Sequence, residues 1–309
     1  MRDIDRRTFL ATSGLALAWL ATGCGGKDDA LPENASPNQL ATDLKERDGD
    51  PINVLQAVDQ VLVRPASRVA FALVAADRTT FLRGGGVDVY YGLDPSAPAR
   101  GPVRAEYHGE GLGSKGVYVV KLDIDRPGNW GVVAVGKPSG ASKEIWGEAV
   151  YPAVEKVDGP APGAKAISIP TPTVENHRGV EPYCTRTPQP CSMHRISLDA
   201  ALANGRPTVF NIGTPRFCTS QVCGPVVDVI QTVSTEFADR INFIHAEVYV
   251  NATDAPAKGV GGFTPAMKAW MQMQEPVTYW IRSDRTITER IVGPTDVAEV
   301  RALTRALTG

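Results

Sequence analysis

The sequence predicts two folded regions of different class: an all-β sandwich over residues 51–155 and an α/β domain over residues 192–309. Three observations predict this. Short apolar or alternating runs recur in the first region at a spacing of about 8–12 residues, with Gly and Pro between them. From about residue 192, apolar strands alternate with segments of helical period in the order β-α-β-α-β-β-α. The chain has 309 residues, more than one core usually fills, and its 30 glycines and 24 prolines favour turns and strands over a helical bundle. The formal net charge of −2 and the lack of a long basic run argue against a nucleic-acid partner.

In the first region the strand candidates are 68–75, 87–91, 103–107, 117–124, 130–135 and 145–150. Tyr118 and Trp130 are large aromatics in such runs and belong to the core. His108 lies in the turn-like run Glu-Tyr-His-Gly-Glu, with no second His nearby to complete a metal site. The run from Gly116 to Trp130 resembles a strand–turn–strand of immunoglobulin-like domains in exported bacterial proteins. The region carries no evident chemistry and reads as a spacer or docking module. Residues 156–191, with Gly-Pro-Ala-Pro-Gly at 159–163, read as a Pro/Gly-rich linker that carries the pair Cys184 and Cys191.

The N-terminus reads as an export segment. A basic start at Arg6-Arg7 precedes an apolar run of residues 10–21, too short to span a bilayer. Arg6-Arg7 with Phe9-Leu10 resembles the twin-arginine signal. Leu20-Ala21-Thr22-Gly23-Cys24 resembles a bacterial lipobox. That resemblance implies a signal peptide over 1–23, lipid attached to Cys24, and a location on the extracytoplasmic face of the cell membrane. Simple cleavage and secretion is the plainer alternative. Residues 24–50 are polar and read as a flexible tether.

In the C-terminal domain, Ser197 is placed to cap a helix over 198–203, and 208–212 is an apolar strand. A helix follows with Val222, Val226, Val229, Ile230, Val233 and Phe237 on one face. Residues 241–250 form a second strand, a glycine-rich loop with Gly259, Gly261 and Gly262 leads to a short helix over 266–271, and 277–282 pairs with 286–292 in a hairpin. Thr295 is placed to cap the last helix.

These residues carry a resemblance to exported thioredoxin-like reductases over about 195–309. Val209-Phe-Asn-Ile-Gly-Thr is similar to the strand before their active site, Cys223-Gly224-Pro225 to the first three residues of Cys-Gly-Pro-Cys, and Glu275-Pro276-Val277-Thr278 to the strand led by their cis-proline. The departure is Val226, which stands where the second cysteine belongs. The available partner is Cys218, giving Cys-x4-Cys. In a regular helix such residues diverge too far for a disulfide, so Cys218 must lie off the helix. The resemblance implies a thiol–disulfide oxidoreductase using Cys218, Cys223 and Pro276, with Cys218 attacking and Cys223 resolving, although the Gly-Pro context favours the reverse order. The partners implied are exported protein thiols or disulfides, or a membrane redox partner. No cofactor and no metal are expected. A static disulfide remains the plain alternative.

Other readings stay open at this point. Thr214-Pro215 and Cys218-Thr-x-x-x-Cys223 resemble a peroxiredoxin of the bacterioferritin-comigratory type, although Phe217 adds a residue and Pro276 stands where that family has an arginine; Arg282 and Arg285 lie further on. A copper-binding protein of the Sco type has a Cys pair and a distant His, for which His245 is the candidate. A non-catalytic interaction lipoprotein is a further reading. Cys184 and Cys191 are assigned to a local structural disulfide, with a redox relay as the sharper alternative. His177 and His194 flank that pair, so a Cys2His2 zinc site is conceivable on residue types, but an oxidising location and irregular spacing speak against it.

Overall fold

The structure is a computed structural model, and it describes residues 31, 34–47, 49–218, 221–251, 262–271 and 274–309. The export segment, Cys24, and Gly259 and Gly261 of the glycine-rich loop lie outside the described residues.

The first region holds β1 (Asp50–Pro51), β2 (Asn53–Gln56), β3 (Val61–Leu62), β4 (Arg64–Val74), β5 (Phe81–Gly92), β6 (Arg100–His108), β7 (Val117–Ile124), β8 (Gly128–Ser139) and β9 (Ile145–Val154). All six predicted runs lie within or largely within β4 to β9. One hydrogen-bonded path joins the strands in the order β1-β9-β8-β5-β6-β7-β4-β2, with β3 on β9. β4 also pairs with β5, through Leu73 with Leu82 and Val74 with Phe81, so the path folds back on itself. The two layers of the expected sandwich are therefore joined. Residues of β4, β5, β7 and β8 meet in one core around Phe71, Tyr118 and Trp130, all essentially solvent-free, with β4 buried without a break from Val69 to Val74.

Two expectations are corrected. The tether over 24–50 contains a helix, α1 (Pro37–Glu46), started by the Ser36 hydroxyl, which accepts the Gln39 N–H. Its Leu40, Ala41 and Leu44 are buried, the last two packing with Val133, Val135 and Trp146. The linker over 156–191 is clamped. Gly163 N–H and Ala166 N–H donate to Ile287 and Arg285 carbonyls, both at 2.8 Å, and Glu181 N–H donates to Val250 O at 2.9 Å. The segment borrows backbone partners from an otherwise open sheet edge.

The C-terminal domain comprises α2 (Leu198–Ala203), β10 (Thr208–Ile212), α3 (Cys223–Phe237), β11 (Asn242–Ala246), α4 (Pro265–Ala269), β12 (Val277–Ile281), β13 (Ile287–Val292) and α5 (Val297–Arg305). Strand order is β11-β10-β12-β13, with β11 parallel and β12 antiparallel to β10, and β13 antiparallel to β12. That order, with a crossover helix between β10 and β11 and a last helix after the hairpin, is a thioredoxin-like domain. Two caps differ from expectation. Ser197 makes no cap hydrogen bond; its hydroxyl instead binds Asp199, and the Leu198 N–H goes to Thr171 Oγ1 at 2.9 Å. Asp296, not Thr295, caps α5, accepting Glu299 N–H at 2.9 Å.

The β region docks on α3 and α5. Arg68 grips Glu299 with two hydrogen bonds at 2.8 and 2.9 Å and adds one to Pro294 O. His108 Nδ1 lies 3.1 Å from Asp296 Oδ1, and Gly109 N–H donates to Asp296 Oδ2 at 3.0 Å. Leu112 from the same turn enters the core formed by α3 and α5. Gly111 must be glycine: its φ is +85°, and a Cβ would come within 2.7 Å of Val229. His108 thus serves the interface between the two regions.

Candidate functional site

β10 delivers the chain to a turn over 213–218, after which α3 begins at Cys223. Cys218 and Cys223 are joined in a disulfide with Cα atoms 5.9 Å apart. Cys218 lies off the helix, as the spacing requires. The chain between the two cysteines turns at Gln221, whose φ is +57°. Cys223 N–H, at the start of α3, points at Cys218 Sγ from 3.3 Å. The two residues differ in access: Cys218 keeps 9% of its surface, whereas Cys223 has none. Both cysteines lie at the N-terminus of α3, and the Cys223 N–H is aimed at the Cys218 sulfur.

Beside this pair runs the Glu275–Pro276 segment, joined by a cis peptide bond. It leads into β12, which sits in the sheet next to β10. Glu275 Oε2 accepts Thr214 N–H at 2.6 Å and lies 3.7 Å from Cys223 Sγ. Burial pushes the Glu275 carboxyl up to about 7, against the opposing pull of the Thr214 N–H. Pro276 packs on the turn: a Cβ at Gly213 would meet its Cβ at 3.3 Å. In the sequence, the signal for Glu275 is its place immediately before Pro276. A groove of about 530 Å³ opens here, lined by Phe217, Val222, Tyr249 and Glu275 from the α/β domain and by Leu55 and Lys115 from the β region.

The features of a peroxidase are not brought together. The Thr214 hydroxyl is buried and accepts Val248 N–H at 2.8 Å. Arg282 and Arg285 belong to the β12–β13 turn, where Arg285 has φ +69°. Val226 is fully buried in the core and offers no second sulfur.

The second cysteine pair departs from expectation. Cys184 and Cys191 are free thiols, with sulfurs 3.8 Å apart, against about 2.05 Å in a disulfide. The physical reason is what surrounds them. His245, the next-to-last residue of β11, points its Nδ1 at Cys184 Sγ from 3.8 Å and at Cys191 Sγ from 3.4 Å. His194 Nε2 lies 3.2 Å from His245 Nδ1. All four residues are buried. The hydrogen bond with Cys191 holds Cys184 well below the usual thiol range, and the same bond pushes Cys191 up. Burial works to lower His245, yet the hydrogen bond and charge of Cys184 outweigh it and hold the imidazole at about 9. The distant His of the sequence reading therefore joins Cys184 and Cys191, not Cys218 and Cys223. His177, the other flanking candidate, faces outward and pairs with Glu181 at 2.6 Å.

No protein-family model matches the chain, and no curated protein matches it. Among solved structures, it is similar to a thiol:disulfide interchange protein of the thioredoxin family from Chlorobium tepidum TLS. The two are 19% identical, the match covers 50% of this chain and 100% of that one, and the TM-score is 0.30. The thioredoxin-like fold stands on the strand order and helix placement given above.

Proposed function

We propose that this protein is an extracytoplasmic thiol–disulfide oxidoreductase, held to the membrane by lipid on Cys24 and working through Cys218 and Cys223. The observation that carries the reading is the bonded Cys218–Cys223 pair at the start of α3, with the Glu275 carboxylate 3.7 Å from the inner sulfur. In the reduced protein, the Cys218 thiolate attacks one sulfur of a substrate disulfide. A mixed disulfide forms and the other substrate sulfur leaves as a thiolate. Glu275 takes the proton from Cys223, whose thiolate attacks Cys218 Sγ and releases the second substrate thiolate. The substrate gains two electrons and the protein ends as the disulfide described here. An external dithiol restores it; run in reverse, the same steps oxidise a substrate. Partners are exported proteins carrying thiols or disulfides, or a membrane redox protein. The β region, read as an immunoglobulin-like spacer, forms the far wall of the groove.

The test is redox titration of the full chain with thiol trapping, with Cys218→Ser and Cys223→Ser alongside. The parent pair is expected to reduce reversibly well above about −300 mV, the range of inert structural disulfides. Cys223→Ser is expected to trap a mixed disulfide with a model protein disulfide, whereas Cys218→Ser does not. A pair that stays oxidised below that potential, with no trapped adduct, refutes the reading.

A further inference from the structure

Four soft or borderline donors converge inside the C-terminal domain: Cys184 Sγ, Cys191 Sγ, His194 Nε2 and His245 Nδ1, all within 4.8 Å of one another. The redox reading makes no use of them. Their arrangement is that of a coordination shell. A tetrahedron with metal–sulfur bonds of about 2.3 Å and metal–nitrogen bonds of about 2.0–2.1 Å has an S···S edge of about 3.8 Å, an N···N edge of about 3.3 Å and S···N edges of about 3.6 Å. The observed edges are 3.8 Å for S···S, 3.2 Å for N···N, and 3.8 and 3.4 Å for the two S···N edges at His245.

The outward nitrogens are already engaged. His194 Nδ1 faces Pro172 O at 3.3 Å, and His245 Nε2 faces Gly213 O at 2.8 Å. A carbonyl only accepts, so each outward nitrogen carries a hydrogen, and a metal that displaces the inward proton of His245 finds the lone pairs of both inward nitrogens. The two inward nitrogens lie 3.2 Å apart beside two sulfurs, so one cation can take the place that the His245 proton holds between them. Backbone carbonyls orienting the imidazoles are the supports metal-ligating histidines usually have.

We propose that Cys184, Cys191, His194 and His245 bind one zinc ion in a closed, structural site. Charge selects the ion. A divalent cation with two thiolates and two neutral imidazoles is neutral, which a sealed interior tolerates, whereas monovalent copper would leave a net negative charge there. Glu247, buried nearby and hydrogen-bonded to Thr185, deepens that penalty. The set offers four protein ligands and no open position, so its role is to hold structure. It ties the clamped segment, through Cys184, to β11 and, through Gly213, to the turn that carries Cys218. Binding displaces the thiol protons, and bound thiolates are protected from oxidation in an oxidising compartment.

The test uses the full chain purified anaerobically without chelator. Plasma mass spectrometry is expected to find close to one zinc per chain. Exchange with cobalt(II) is expected to give thiolate charge-transfer bands and the intense visible bands of a tetrahedral site. His245→Ala and Cys191→Ser lose the metal, while His177→Ala retains it. Cys218→Ser/Cys223→Ser also retains it, which separates this inference from the redox reading. Should His245→Ala fail to fold, Cys191→His preserves a donor and is expected to keep the metal with weaker thiolate bands. A metal-free chain with Cys184 and Cys191 oxidised to each other, full zinc in His245→Ala, or copper(I) displacing zinc at equal free concentration each overturns the proposal.

Discussion

Replacing Glu275 with Gln separates the chemistry of the thiol site from its effect on stability. The carboxyl sits at about 7 in the folded chain, against 4.5 when exposed. A carboxyl raised in this way supports the fold fully below pH 4.5, and that support is lost as pH rises through 7. The gap between about 7 and 4.5, at about 1.36 kcal/mol per pH unit, is worth about 3 kcal/mol, and about 2 kcal/mol after allowing for partial exposure. The charges that face it are Glu247, which raises it further, and His245, which lowers it. Gln is neutral at every pH, nearly isosteric, and its amide oxygen can still accept the Thr214 N–H. Urea unfolding of the oxidised protein should therefore find Glu275→Gln equal to the parent near pH 4.5 and about 2–3 kcal/mol more stable near pH 8. In stopped-flow kinetics of the resolving step, the parent rate should rise with pH around a midpoint of about 7, and that rise should vanish in the variant. Stability curves that stay parallel from pH 4.5 to 8, with an unchanged pH profile, would refute the assignment of Glu275 as the proton acceptor for Cys223.

Two other outcomes follow from contacts described above. Burial opposes the charged form of His108, but its bond to Asp296 wins and raises its pKa above 6.5. Its contribution is therefore complete below pH 6.5 and lost as pH rises through the folded value; burial likewise works to raise Asp296, but its hydrogen bonds lower it below 3.8, so its share is lost on acidification. Hydrogen-exchange protection of α5 should accordingly be greatest between about pH 4 and 6.5, and His108→Gln should remove the alkaline limb. Thr214→Val strands the buried Val248 N–H, so it should cost about 1–3 kcal/mol in chemical denaturation. Peroxide turnover should stay at the free-thiol background in both parent and variant; a parent rate far above that background, abolished by Thr214→Val, would restore the peroxidase reading.

Local pattern determined much of this protein. The strand Thr208–Ile212, the helix Leu198–Ala203 and the apolar face of α3 were legible because periodicity and short-range steric preference act over a few residues. The placement of Cys218 off the helix followed from helical geometry alone. The caps were less legible, since Thr295 and Asp296 are both competent and only the path of the chain selects one. A helix at Pro37–Glu46 was hidden by polar composition, its short apolar stripe meaningful only once Val133, Val135 and Trp146 offer a surface. The clamped segment was illegible because its partners are backbone groups, which every residue carries. Tertiary structure alone decided the Cys–His cluster. His245 lies 54 residues beyond Cys191, and it reaches the cysteines only because β11 runs parallel to β10 in a register that pairs His245 with Asn211. Sequence spacing reports neighbours along the chain, whereas a coordination shell is assembled through space, by strands whose pairing depends on the whole core.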